Sequence, residues 1–230
     1  MIVKNKPKKN RKLIFWLLVC GWVGLLGYSA VYIYKKITHK PGITIVQING
    51  IDVTVDETPI TKEQIQEYNV PPTHPRYLSI PKLGINNARI KQIGLLKNTN
   101  QLDAPVSIFD AGWYTGSVKP GNGSGAVLID GHNGGPNYDG IFKKLNQLSV
   151  GDQIIIERGD GQKITYEVRD NRDMLVDEIN DANNPYGMST ILNSHDTSKE
   201  GLNIITCVGD WLQSDQTYNK RTMLRAVRIQ

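Results

Sequence analysis

From Arg76 onward the chain is a succession of short apolar or β-branched runs, each closed by a turn. Candidate strands are Tyr77–Ile80, Ala88–Gln92, Gly125–Asp130, Gln153–Arg158, Lys163–Asp173, Asn203–Thr206 and Arg221–Ile229. Turn signals separate them at Pro120-Gly121-Asn122-Gly123, Gly134-Gly135-Pro136 and Gly159-Asp160-Gly161. Strands this short and frequent must close on themselves or pack on a second sheet, so the expected fold is mainly β, a barrel or a sandwich. Two short helices fit between strands: Asp139–Gln147, with Ile141, Phe142, Leu145 and Leu148 on one side, and Gly187–Ser194. Trp113 reads as core packing.

The N-terminus follows different rules. Leu13 to Tyr34 carries no charge for 22 residues. At ~1.5 Å per helical residue it covers the ~30 Å hydrocarbon core of a bilayer. Trp16, Tyr28, Tyr32 and Tyr34 lie toward its ends, where aromatic rings favour the interface. Six Lys or Arg precede it and three follow by Lys40, so the positive-inside bias puts residues 1–12 in the cytoplasm and residues 41–230 outside. A cleaved signal peptide is the rival. It wants a shorter apolar core and small residues before the cut, and Tyr28-Ser29-Ala30 offers a bulky Tyr. The expected layout is a basic tail over 1–12, a single transmembrane anchor over 13–34, a linker over 35–75 and a catalytic domain over 76–230. Within the linker, Asn49-Gly50 between alternating β-branched residues signals a hairpin. Thr61-Lys62-Glu63-Gln64 resembles a capping box for a helix to about Tyr68. The segment Ile43–Tyr68 reads as a membrane-proximal spacer or a lid.

Charge follows the same division. Residues 1–40 hold nine of the 27 Lys and Arg and no acid; the remaining 18 face all 22 acids, so residues 41–230 are net acidic. A nucleic-acid partner, which wants a basic face, loses its support.

Of two cysteines, Cys20 lies in the expected anchor and Cys207 lies far downstream, so Cys207 is an odd cysteine in an exported domain. An odd exported cysteine implies an intermolecular bridge or a working thiol. A thiol enzyme needs a thiolate, a base or cation to favour it, and a donor for the oxyanion. His132 follows the apolar strand Val127–Asp130 and is flanked by glycines, which leaves it exposed enough to act. His74, in the linker, and His195, in a polar loop, read as solvated. Arg221 and Arg225 share a strand face about 13 Å apart, so only one can approach Cys207; Arg228 faces the other way. A solvated edge is the bland alternative for all three.

These residues stand in a recognisable order. Arg76-Tyr77-Leu78-Ser79-Ile80-Pro81, Gly112-Trp113-Tyr114, Pro120-Gly121, Ala126-Val127-Leu128-Ile129-Asp130-Gly131-His132, Ile205-Thr206-Cys207 and Tyr218-Asn219-Lys220-Arg221 resemble the sortase family over residues 75–230. The Gly-Trp-Tyr…Pro-Gly stretch and the Thr-Cys-x-Gly-Asp run are most similar to class F. The resemblance implies a closed eight-stranded barrel and a membrane-anchored cysteine transpeptidase; no cofactor or metal is expected from the residues themselves. It implies cleavage of an LPXTG-like sorting signal and transfer of the acyl group to an amine of a cell-wall precursor or a protein lysine. It gives Cys207 the nucleophile's role, His132 that of general acid and base, and Arg221 that of oxyanion and substrate holder. Thr206 would position the substrate threonine. Trp211 and Tyr218, in the loop between Cys207 and Arg221, would contact substrate or pin that loop. Ile191 and Leu192 would wall a Leu-Pro pocket. No Asp-Pro-aromatic lid motif of the pilin-building class is present.

The rivals differ at the same residues. L,D-transpeptidases place cysteine in a Ser-x-Gly-Cys run, and papain-like proteases place it before the histidine. Zinc and calcium ligands lack the required clustering. A tethered, non-catalytic β-domain binding a wall component would leave Cys207 as a buried structural thiol.

Overall fold

The computed structural model describes residues 41–48, 51–97, 99–214 and 217–230. The basic tail, the expected anchor over 13–34 and Cys20 lie outside the described residues. Among the described residues no helix is long and apolar enough to cross a membrane.

Strands β1 (Ile43–Ile48) and β2 (Ile51–Asp56) form the hairpin the sequence signals. Their register closes at Ile48 opposite Ile51, which leaves a two-residue connection. Helix α1 (Lys62–Gln66) follows, with its capping box in place. Thr61 Oγ1 accepts from Gln64 N–H at 3.2 Å, and Gln64 Oε1 accepts from Thr61 N–H at 2.9 Å. Each occupies an otherwise orphan donor of the first turn.

Eight strands then close a barrel. They are β3 (Pro75–Ile80), β4 (Ile85–Ile93), β5 (Ala111–Tyr114), β6 (Ala126–Gly131), β7 (Gln153–Arg158), β8 (Lys163–Leu175), β9 (Gly201–Leu212) and β10 (Thr217–Arg228). The order around the barrel is β10-β8-β7-β3-β4-β5-β6-β9. Inward residues such as Leu78, Ile129, Ile156, Tyr166, Ile204 and Leu224 are sealed from solvent and form one core, capped by Phe142, Leu145 and Leu148.

The parallel pair β6–β9 is apolar on both faces. Val127 and Ile129 point into the barrel, while Leu128 points out into a second cluster with Ile205, Met223, Met174, Ile179 and Ile191. Strands buried on both sides read as continuous apolar runs, as Val127-Leu128-Ile129 and Ile204-Ile205 do. The outer cluster is covered by the segment between β8 and β9. That segment contains α2 (Val176–Asn180) and a single 3-10 turn at Met188–Thr190.

Several local expectations change. The helix expected over Asp139–Gln147 is one 3-10 turn, Leu145–Gln147. Its apolar spacing is helical, but Phe142 N–H is taken by His132 O at 3.0 Å, and Lys143, Leu145, Gln147 and Leu148 N–H bond three residues back rather than four. Those loop bonds replace the helical ladder. The helix expected over Gly187–Ser194 is likewise one turn. Arg221 does not begin the last strand, which starts at Thr217, and β10 is no edge: it pairs with both β8 and β9. Arg225 on that strand is buried and donates to Thr190 Oγ1 at 2.6 Å.

Candidate active site

Two long antiparallel strands bring the chemistry together. β9 continues past Cys207 to Leu212, so the cysteine sits within a strand rather than at its end. Its register partner on β10 is Arg221. Directly opposed residues of an antiparallel pair put their side chains on the same face, and both border one cleft of about 950 Å³. His132 and Asp130 border it too. Asp130 lies on β6 and His132 directly follows its last residue, Gly131; Asp130 pairs with Ile205, two residues before Cys207. Thr206 locks that junction: its hydroxyl donates to Gly131 O at 2.7 Å, between the two elements that carry His132 and Cys207.

Arg221 is held by its own strand. Nη1 donates to Tyr218 O at 2.8 Å and Lys220 O at 2.9 Å, and Nη2 donates to Thr217 Oγ1 at 3.1 Å. A guanidinium has five N–H donors. Two therefore stay without a partner among the described residues, on a group fixed in orientation beside Cys207. The irregularity between Tyr218 and Lys220 helps shape this end. Gly209 has φ of +88° there, and Asp210 N–H donates to Asn219 Oδ1 at 2.8 Å.

His132 is partly buried, with Nε2 at 2.7 Å from Pro105 O. A carbonyl only accepts, so Nε2 carries the proton in this tautomer. Burial pulls the His132 pKa below its ordinary value, opposed by the Pro105 bond and the charge of Asp103. Burial pushes the Cys207 thiol up, Arg221 pulls it down, and Asp130 pushes it up again. Burial raises Asp130 to about 7, and Asp103 adds to the rise, while Gly131 N–H and Arg221 oppose it. The resting state at neutral pH is thus a neutral thiol and a neutral imidazole next to a permanent cation. Chemically, a thiol–imidazole pair can furnish a nucleophile once a proton moves between them, and a guanidinium can furnish donors for a developing oxyanion.

The remaining site residues divide. Trp211 and Tyr218 both border the cleft and meet edge to face, ring centroids 5.4 Å apart. They lie on β9 and β10, not in a loop, and pair in register. Thr206 is buried with its hydroxyl committed to Gly131, so it faces away from the cleft's open space. Ile191 packs in the outer cluster and Leu192 is exposed; neither borders the cleft. Val176, Ile179 and Met188 from the same segment form that wall instead. His74 stands edge-on to Trp113 and His195 is exposed, and neither reaches the cleft. Val46, Val53 and Val55 of the β1–β2 hairpin border the cleft on another side. Sequence reasoning passed over Asp130 as a site residue, although strand alternation sets positions 130 and 132 on one face. Pro105 and Asp103 carried no signal, because their loop reaches the cleft only through tertiary packing. Among the described residues no group of three or more His, Cys, Asp or Glu could hold a metal ion.

Comparison with known proteins gives this arrangement a family. The sortase-domain family model matches residues 78–229. Solved structures with similar folds include a lid mutant of sortase A from Corynebacterium diphtheriae, 24% identical over 72% of this chain and 74% of that one, TM-score 0.48. Sortase C1 from Streptococcus agalactiae in complex with MTSET is 20% identical over 71% and 70%, TM-score 0.46. A sortase D5 transpeptidase from Clostridium perfringens is 19% identical over 74% and 90%, TM-score 0.46. A search of curated proteins finds no match. The family match spans about two thirds of the chain, from within β3 to the end of β10, and includes Cys207, His132 and Arg221; on that ground the chain belongs to the sortases, cysteine transpeptidases that act on sorting signals.

Proposed function

We propose that Cys207 is the nucleophile, His132 the general acid and base, and Arg221 the oxyanion and substrate holder of a membrane-anchored transpeptidase for LPXTG-like signals. The observation that carries this reading is the register of Cys207 opposite Arg221, both facing the cleft that His132 borders. His132 takes the thiol proton, and the thiolate attacks the carbonyl carbon of the signal's threonine. The oxyanion is met by Nε and the second Nη2 N–H of Arg221, which have no partner among the described residues. As the C–N bond breaks, the imidazolium protonates the leaving amine and a thioester remains. An incoming amine then gives its proton to His132, a new C–N bond forms, the C–S bond breaks, and the imidazolium returns the proton to the leaving Cys207 thiolate. The apolar walls limit water during the thioester's lifetime.

The acceptor amine belongs to a cell-wall precursor or a protein lysine. The uncharged run at 13–34 anchors the chain with its N-terminus in the cytoplasm and residues 41–230 outside. The Gly112-Trp113-Tyr114…Pro120-Gly121 and Thr206-Cys207-Val208-Gly209-Asp210 runs support a place near class F.

The test uses the full-length protein, an LPXTG-type peptide and an amine. A thioester adduct on the protein and an amide product are expected. Cys207→Ala removes both. Arg221→Ala lowers turnover by roughly 100- to 1,000-fold, the cost of one oxyanion donor. His132→Ala lowers it about 100-fold or more. Turnover that persists without Cys207 would sink the assignment.

A further inference from the structure

Glu57, just after β2, is a carboxylate with 1% of its surface exposed and no salt bridge among the described residues. A charge so placed is tolerated only when its lone pairs are filled by good donors. Among the described residues its donors all come from one loop. Oε1 accepts from Asn137 N–H at 2.8 Å and Tyr138 N–H at 2.9 Å, and Oε2 accepts from Asn137 Nδ2 at 2.7 Å. Gly135 lies so close that a Cβ there would sit 2.5 Å from Oε1. This is the loop that begins at His132 and returns to it: Gly135 N–H bonds Tyr138 O, Gly140 N–H bonds Asn133 O, and Phe142 N–H bonds His132 O.

The preceding residue governs the other side of the same histidine. Asp56 N–H donates to Val106 O at 2.7 Å, and Ile108 N–H donates to Asp56 O at 3.0 Å. Between Ala104 and Val106 sits Pro105, whose carbonyl holds His132 Nε2. The backbone carrying His132 and the carbonyl that orients its ring thus both hang on two consecutive residues outside the barrel. A loop merely closed by its own turns would need neither contact.

We infer that Glu57 is a positioning residue for His132, which makes the N-terminal hairpin segment part of the catalytic apparatus. The inference rests on the acid–base role assigned to His132 above. The test compares full-length wild type, Glu57→Gln, Asn137→Ala, and the double variant Glu57→Gln/Asn137→Asp. Glutamine keeps an acceptor for the two backbone N–H groups but turns an amide donor toward the Asn137 amide donor. In the double variant that donor meets a carboxylate, and the pairing is restored with its polarity reversed.

For Glu57→Gln, kcat should fall roughly 10- to 100-fold, the scale of a sub-ångström to 1 Å misplacement of a catalytic group. KM for the peptide should hold, because the β9–β10 pair is untouched, while Cys207 alkylation by iodoacetamide should slow along with kcat, because His132 takes the thiol proton. The His132 ring, followed by NMR, should titrate closer to an ordinary imidazole as its burial loosens. The double variant should recover most of kcat. Asn137→Ala, which removes only the side-chain donor, should show a smaller loss and serves if Glu57→Gln melts early. Wild-type kcat in a folded Glu57→Gln protein overturns the inference, as does a kcat loss that the double variant leaves unrepaired. His132→Ala is run alongside: if it retains turnover, the acid–base assignment itself fails, whatever Glu57 does.

Discussion

Asp130 sits where its charge matters twice, to the thiol beside it and to the stability of the fold. Its carboxyl is raised to about 7, mainly by burial. In the unfolded chain it would ionise near 3.9. Between those values the native state holds a proton the unfolded state has lost, so stability falls as pH rises through that window. Asp130→Asn removes the penalty. Its melting temperature should exceed wild type at pH 8 and converge on it toward pH 4. A chain of this size gains about 2–4 °C per kcal/mol. Thermal melts across pH 4–8 check this, and a gap that grows on acidification would contradict it. The thiol should respond to the same charge. Asp130 pushes Cys207 up and Arg221 pulls it down. The midpoint of the alkylation rate against pH should therefore drop in Asp130→Asn and rise in Arg221→Met. A shift of the same sign in both variants would show that the two charges do not act on the sulfur.

At the scale of elements, the site is a junction of β6 with β9, and Thr206 is its pin. Its hydroxyl bonds Gly131 O in a buried position. Thr206→Val keeps the shape but strands that carbonyl. A cost of roughly 1–3 kcal/mol is expected from the unsatisfied acceptor. Urea unfolding would show it as a lower midpoint at unchanged slope. Turnover should fall as well, because the freed strand end carries His132. Intact turnover with lowered stability would restrict Thr206 to holding the fold.

This junction was largely legible in the sequence. Val127–Asp130 and Asn203–Thr206 are apolar runs with turns behind them, and the rare residue types His132, Cys207 and Arg221 follow in order. Elements shaped by distant contacts were not legible. β5 is four residues long and begins with Ala-Gly, too little for a strand signal, yet it pairs with both β4 and β6. Ile141, Phe142, Leu145 and Leu148 are spaced for a helix, but His132 O captures the Phe142 N–H and the N–H groups that follow close turns three residues back. The groove wall was sought at Ile191 and Leu192 and is made by Val176, Ile179 and Met188. Apolar character was visible there, but which residue faces the cleft depends on how the segment folds back over Leu128 and Ile205.

On the scale of the molecule, the question is where the folding unit begins. The family match starts at residue 78, but residues Pro41–Gln230 form one compact unit. The contacts across that line are specific. Tyr68 OH donates to Ile90 O at 2.5 Å, and the Lys91 ammonium lies 3.9 Å from the Tyr68 ring centre. Arg76 Nε donates to Tyr68 O at 2.7 Å, and the Tyr77 hydroxyl bonds Ile65 O. Val55 is 4% exposed and Glu57 is sealed against the His132 loop. A fragment beginning at residue 76 loses all of these partners while keeping the barrel strands except Pro75, the first residue of β3. One buried Val and a few hydrogen bonds together are worth roughly 3–6 kcal/mol. That is a large share of the ~5–15 kcal/mol by which a domain is usually stable. Fragment 76–230 should therefore unfold at a clearly lower urea midpoint than fragment 41–230. Its turnover should drop further than its stability, since the loop and the carbonyl that orient His132 lose Glu57 and Asp56 together. Equal midpoints and equal turnover in the two fragments would make residues 41–75 a spacer. A lower midpoint with higher turnover in the shorter one would make them a lid, because removing a cover frees the cleft while removing a support disorders it.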